Sequence, residues 1–286
     1  MLSIFQAVIL GLIQGFTELF PISSLGHSVI IPSLIGWNIH QGDGAFLTFL
    51  VATHLATATV LFLFFWKDWI LILKGLFRSL YSRKIDHSDT YAKLGWLLVI
   101  GTIPAGILGL LFEQSVRSLL ASAQTAALFL IINGFVLLAA ESLRKNRSTT
   151  SKDEQSDKNI AKLTWSKSVA VGSAQAAALF PGISRSGSSM AGGLLVGLNN
   201  EDAARFSFLL ATPIIGAAAL LKLPQLFSSE YTTMRPAIFL GSLCSAFGAY
   251  VSVKFLLRFF KTNTLKPFAI YCLVAGSVAT LFLLFR

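Results

Sequence analysis

Charge is what this sequence has least of. Asp, Glu, Lys and Arg make up 13% of its 286 residues, about half of the roughly 25% found in soluble domains, which excludes an ordinary water-solvated globule. Cysteine is almost absent. Cys244 and Cys272 stand far apart inside apolar segments, so both read as small buried hydrophobes and not as a disulfide or metal pair. Short segments of alternating polarity are missing, which excludes a transmembrane β-barrel. The first twenty residues lack a basic n-region, and Gln14 and Glu18 interrupt what would be an h-region; they read as part of the fold and not as a signal peptide.

Acidic residues are scarcer than basic ones, 13 against 23. The surplus is unevenly placed. Eighteen of the 23 Lys and Arg fall between Lys67 and Lys93, between Arg144 and Lys167, at Arg205, and between Lys254 and Lys266. This is the positive-inside pattern. It puts the basic loops on the cytoplasmic side and reports orientation, so no nucleic-acid partner is expected.

What the chain does have is apolar length: 54% of its residues are hydrophobic, in runs approaching the roughly 20 needed to cross a bilayer as helix. The expected fold class is an all-α polytopic membrane protein in contact with membrane lipid. Residues 1–34 are broken at Pro21 and Gly26 and read as a re-entrant pair of half-helices, because Pro and Gly interrupt membrane helices where protein covers the freed backbone. Spans near 46–66, 94–112 and 121–142 complete a first repeat, residues 1–142. The polar, low-complexity stretch 143–164 reads as a mobile cytoplasmic linker. A second repeat, residues 165–286, has a re-entrant pair at 165–198 and spans near 203–222, 235–257 and 267–285.

The echoes between halves hold a nearly constant offset of 159–161 residues. Gln14 matches Gln175, Pro21 matches Pro181, and Phe49-Leu50-Val51-Ala52-Thr53 matches Phe208-Leu209-Leu210-Ala211-Thr212. An odd number of crossings per half inverts the second copy. Broken helices of inverted repeats meet near the bilayer midplane in many transporters, so the two re-entrant tips are expected to touch there.

Polar chemistry is concentrated at those tips. Gln14 and Glu18 are four apart and share a helix face, and a carboxylate there costs about 3 kcal/mol against lipid. It needs either a hard divalent cation, Mg²⁺ or Ca²⁺, shared with a phosphate, or an ion pair with Arg185. Ser23, Ser24 and His27 follow on the turn, where Ser24 with His27 as base, or His27 alone, is a candidate nucleophile. In the second stretch, Gly182 and Gly187 let backbone approach a ligand, while Ser184, Ser186 and Ser189 surround Arg185, whose fork matches phosphate oxygens. A half-helix N-terminus follows, so this stretch reads as an anion site. Gln175 is expected to line the site by symmetry with Gln14. His54 and Glu141 carry less weight, as a helix-to-helix hydrogen bond and an interfacial pair with Arg144. Small residues from Gly241 to Gly248 offer a face for homo-oligomer association. The polar residues alone fit either a hydrolase or a transporter (or flippase) of a lipid phosphate or other anion.

Taken together, Gln14-xxx-Glu18, Pro21-Ile22-Ser23-Ser24-Leu25-Gly26-His27 and Pro181-Gly182-Ile183-Ser184-Arg185-Ser186-Gly187 resemble the bacterial undecaprenyl-pyrophosphate phosphatase family, the BacA/UppP type, over nearly the whole chain. The resemblance implies a plasma-membrane enzyme that removes the terminal phosphate of a polyprenyl pyrophosphate, regenerating the undecaprenyl phosphate carrier of peptidoglycan and other envelope polymers. It also implies a link to bacitracin resistance, a divalent cation, and a site opening to the outer face. By matching position, Glu18 and Gln14 fall on the family's E/Q-xxx-E motif, Ser24 and His27 on its Ser and His, and Ser184 and Arg185 on its Ser-Arg pair. Leu25 replaces a small, usually polar residue, and Ser189 stands where the family usually has Thr.

Overall fold

A computed structural model describes residues 2–37, 39, 43–86, 88–120, 122–144, 153–226 and 229–285, and all regular structure among them is helical. The helices are α1 (Ile4–Leu19), α2 (Ser24–Leu34), α3 (Gly44–Phe64), α4 (Trp66–Ser82), α5 (Thr90–Leu120), α6 (Ala123–Leu143), α7 (Asp153–Ala161), α8 (Trp165–Gln175), α9 (Arg185–Leu195), α10 (Asn200–Leu226), α11 (Arg235–Phe259) and α12 (Lys266–Leu284). Six of them, α3, α5, α6, α10, α11 and α12, are long and apolar enough to cross a bilayer. They coincide with the six expected spans, and the chain is a multi-pass membrane protein.

The two short pairs, α1–α2 and α8–α9, are broken for local reasons. Proline disfavours helical backbone in the residue before it, and Phe20, preceding Pro21, leaves α1 with extended dihedrals. Ser23 has φ 69°, and its Oγ accepts from Gly26 N at 3.2 Å to cap α2. In the second pair a 3₁₀ turn, Ala176–Leu179, prolongs α8 as far as Phe180 and Pro181. Gly182 then takes φ 105°, and a Cβ there would collide with the carbonyl of Ala126. Ser184 caps α9 by accepting from Gly187 N at 3.1 Å.

Helix α1 packs on α11, and α8 on α5, through backbone-to-backbone contact. A Cβ on Gly11 would strike the carbonyl of Gly241, one on Gly15 that of Ser245, and one on Gly172 that of Gly101. Gly11 and Gly172 keep the offset of Gln14 and Gln175. Across the middle, α3 packs on α10 and α6 on α12. The stripe Gly241, Ser245, Gly248 is therefore buried inside the chain against α1. That corrects its reading as an outward association face: small residues brought two helices of one chain together.

Two helices occupy stretches expected to be loop. Helix α4 lies in the basic connection after α3 and buries Trp69, Ile72, Gly75 and Ser79; Trp96 of α5 donates to Ser79 Oγ at 2.9 Å. Helix α7 lies in the expected linker. Its Asp157 accepts from Arg205 Nε at 2.7 Å, Arg205 also reaches Asp68 at 3.1 Å, and Ser156 and Asn159 donate to Asp202. Apart from Ile160, which is buried in the core, its anchoring is ionic and hydrogen-bonded, which apolar periodicity does not register. Residues 145–152 of the expected linker, and His87 of the earlier connection, lie outside the described residues. Glu141, read as interfacial, is buried: besides Arg144 at 2.9 Å, it accepts from Asn200 Nδ2 at 2.9 Å and Leu265 N at 3.0 Å.

Candidate active site

The tips of the two broken pairs touch. Asn133, midway along α6, donates from Nδ2 to the carbonyl of Pro21 at 2.9 Å and accepts from Ser184 N at 3.0 Å. One side chain thus satisfies backbone groups freed in both turns. Ser186 Oγ donates to the carbonyl of Phe20 at 3.0 Å, and Ser184 Oγ to the same carbonyl at 3.4 Å. The Phe20 ring stacks on Phe255 and meets Phe268 edge-on, with centroids 5.8 and 5.5 Å away. Gly26 of α2 packs against Gly182, where an added Cβ would lie 3.0 Å from its Cα. Helices α2 and α9 both begin at this crossing, presenting their N-terminal backbone donors to it.

Glu18 lies at the centre, buried. Arg185 Nε and Nη2 each reach its Oε1 at 3.3 Å. The other oxygen, Oε2, accepts from Ser24 Oγ at 2.5 Å and Gln14 Nε2 at 3.0 Å. His54 Nε2, from α3, is 3.4 Å from the same oxygen. A carboxylate in apolar surroundings is stable only with such a shell of donors. Glu18, Gln14, Ser24 and Arg185 are therefore brought together from helices 160 or more residues apart in sequence.

His27 is placed differently from expectation. Its Nδ1 lies 2.7 Å from the carbonyl of Ser23 and its Nε2 2.8 Å from Tyr271 Oη, with the two rings stacked. Both nitrogens are thereby engaged, and the hydroxyl of Ser24 goes to Glu18 instead. Ser23 is the N-cap of α2, so its carbonyl points along the first turn, where His27 N also bonds it.

The remaining hydroxyls build the turns. Ser23 and Ser184 cap helices, Ser186 holds Phe20, and Ser189 Oγ donates within α9 and meets Ser207 Oγ at 2.6 Å. Gly187 packs against Pro21, tightening the crossing. Gln175 donates to the carbonyl of Gly101 at 3.1 Å and is not joined to the Glu18–Arg185 pair, because α8 is seated on α5 by Gly172.

Among the described residues no group of three or more His, Cys, Asp or Glu could hold a metal ion. Gln14 Oε1, however, is buried without a hydrogen-bond partner beside Glu18. One carboxylate and one uncommitted amide oxygen fit a hard cation that takes its other ligands from phosphate and water. They are too few to hold one alone.

Sequence reasoning underweighted His54 and passed over Asn133 and Tyr271. A polar side chain in mid-span is itself a signal. Asking what satisfies the backbone freed at Pro21 and Ile183–Ser184 would have pointed to Asn133, the amide nearest the middle of its span.

The assembled groups comprise a hydroxyl bonded to a carboxylate, a guanidinium on that carboxylate's other oxygen, and two helix N-termini. They provide a nucleophile, a proton acceptor and anion binding within one crossing. A family model described as bacitracin resistance protein BacA matches residues 7–278. A curated relative from Mycolicibacterium paratuberculosis, named undecaprenyl-diphosphatase, is 45% identical over 303 residues, covering 100% of this chain and 99% of the relative. One of the same name from Granulibacter bethesdensis is 41% identical over 282 residues, covering 95% of this chain and 94% of the relative.

Proposed function

This chain belongs to the bacitracin resistance protein BacA family, and from that membership and the crossing of the two turns we propose that it is an integral-membrane phosphatase removing the terminal phosphate of undecaprenyl pyrophosphate. The product is undecaprenyl phosphate, the carrier consumed in peptidoglycan synthesis. The observation that carries the reading is the hydrogen bond from Ser24 Oγ to Glu18 Oε2 at 2.5 Å with Arg185 on Oε1. A transporter needs an anion site but no nucleophile aligned with a base.

In the proposed reaction the pyrophosphate lies against Arg185 and the N-terminal N–H groups of α2 and α9, with its prenyl tail between spans. Ser24 Oγ attacks the terminal phosphorus while Glu18 takes its proton. The bridging P–O bond breaks, and its electron pair leaves with undecaprenyl phosphate. Water then cleaves the phosphoserine, releasing phosphate and restoring the Ser24 hydroxyl. Arg185 and the helix N-termini stabilise negative charge on the transferring group in both steps. His27 ties the turn to α12 through Tyr271 and holds Ser24 in place. Glu18 and Gln14 would hold Mg²⁺ or Ca²⁺ together with substrate oxygens; when bound, the ion neutralises phosphate charge.

The same proposal includes the topology. The halves form inverted repeats, supported by the paired packings of α1 on α11 and α8 on α5. The chain sits in the bacterial plasma membrane with its basic loops in the cytoplasm, supported by the Lys/Arg distribution, and the site opens outward, where pyrophosphate carrier is released by polymer synthesis. The ionisable set is not duplicated: Glu18 matches Ala178 in the second half, and Arg185 matches Leu25 in the first. The test is phosphate release from a polyprenyl pyrophosphate by purified protein in detergent. Stoichiometric monophosphate and phosphate support the reading, and binding without release refutes it.

A further inference from the structure

We propose that His54 is a positioning residue for this reaction, fixing the rotation of the Glu18 carboxylate so that Oε2 faces the hydroxyl of Ser24. The inference rests on the phosphatase reading above. Oε2 has three neighbours that can donate, Ser24 Oγ at 2.5 Å, Gln14 Nε2 at 3.0 Å and His54 Nε2 at 3.4 Å. Ser24 is the group to be deprotonated, and Gln14 lies on the same helix as Glu18, so it moves with it. His54 alone of the three ties Oε2 to a different membrane span.

That span is held in register with α1. Ser245 of α11 donates to the carbonyl of Thr53 at 3.0 Å and meets Thr57 Oγ1 at 3.1 Å, while its own carbonyl lies against Gly15 of α1. One residue of α11 therefore sets both the residue before His54 and the helix that carries Glu18. The imidazole is oriented as well. Nδ1 lies 2.7 Å from the carbonyl of Leu50 and Nε2 3.4 Å from a carboxylate oxygen; both partners only accept, so both nitrogens carry hydrogen and the ring that faces Glu18 is an imidazolium.

The position is also open. The His54 side chain is 28% exposed, against 5% for Glu18 and 13% for Arg185, so its ring lies at the edge of the packed core and does not fill it. The echo of Phe49–Thr53 in Phe208–Thr212 places Pro213 opposite His54 in the second half. The imidazole thus occurs only in the half that supplies Glu18 and Ser24.

Two amide substitutions separate this role from a local one, because each mimics a different imidazole nitrogen. His54→Gln places an amide nitrogen where Nε2 stands, and His54→Asn places one where Nδ1 stands, keeping the Leu50 bond but not reaching Glu18. With purified full-length protein and a polyprenyl pyrophosphate, His54→Gln is expected to keep kcat within about threefold of wild type. His54→Asn and His54→Leu are expected to lose about 10- to 100-fold in kcat, with KM changed by less than about threefold. Should His54→Leu fail to fold, the contrast between Gln and Asn carries the test. Equal activity of Gln and Asn, near-normal kcat in Asn, or a change confined to KM overturns the proposal. No phosphate release by the wild type refutes the phosphatase reading, and this inference with it.

Discussion

Replacing Glu18 with Gln leaves the side chain's volume unchanged and removes its charge and one of its two acceptor oxygens. Arg185 Nε and Nη2 approach Oε1 at 3.3 Å, while Ser24 Oγ and Gln14 Nε2 donate to Oε2 at 2.5 and 3.0 Å. The remaining oxygen is expected to stay with the guanidinium, since an amide NH₂ facing Arg185 would set donors against donors. The new NH₂ then faces Ser24, Gln14 and His54; Gln14 can turn its unpartnered Oε1 to accept from it, and His54 can accept once Nε2 gives up its proton. Most of the hydrogen bonding is recovered. Arg185 loses its counter-charge, which costs about 3–5 kcal/mol for a fully buried pair; with the Arg185 side chain 13% exposed, we expect a smaller loss of about 1–3 kcal/mol. Chemistry suffers more. Loss of a general base lowers kcat by about 10²–10⁴, equivalent to about 2.7–5.4 kcal/mol of barrier. The assay is phosphate release by the detergent-purified variant, with a thermal melt on the same sample. A kcat within tenfold of wild type would refute the role of Glu18 as proton acceptor, and a protein that no longer folds would refute the compensation by Gln14.

Arg185→Ala is expected to lower kcat by about 10³-fold or more while the protein remains folded, and Arg185→Lys to restore little, because an ammonium lacks the planar fork that spans two phosphate oxygens; kinetics and circular dichroism check both. Asn133→Leu, close to isosteric, leaves Ser184 N unpaired and Pro21 O with only the weak Cys272 Sγ donor, so unfolding free energy should fall by about 2–4 kcal/mol and kcat should drop more than KM rises. Chelation by EDTA is expected to stop turnover reversibly, with Mg²⁺ or Ca²⁺ restoring it, and to leave the melting temperature without substrate unchanged, since Glu18 and Gln14 are too few to bind the ion alone.

The spans were legible because lipid imposes length and apolarity on them directly. Glu18 and Arg185 were legible for the converse reason: an ionised group in such a segment is too costly to be idle. Their pairing followed from the repeat, as each sits beside the proline of its own turn. What could not be read was anything fixed by backbone proximity. Gly241, Ser245 and Gly248 present the same small stripe whether they face a second chain or α1, and only the fold decides. Helix α7 escaped notice because Asp157 and Arg205 hold it by charge, 48 residues apart. The expected pairing of Ser24 with His27 was undone by partners distant in sequence or on the cap: Ser24 Oγ goes to Glu18, and His27 lies between Ser23 O and Tyr271 of α12. His54 looked like a lone span histidine because nothing in sequence tells which neighbour α3 faces.

The most direct measurement supplies a polyprenyl pyrophosphate labelled in its terminal phosphate to the purified protein, quenches during turnover, and locates label on the polypeptide. Phosphoserine survives acid, whereas phosphohistidine is lost in acid and survives alkali. Acid-stable label on Ser24, absent in Glu18→Gln, is the predicted result. Acid-labile label on His27, or turnover with no label on the protein, would contradict it.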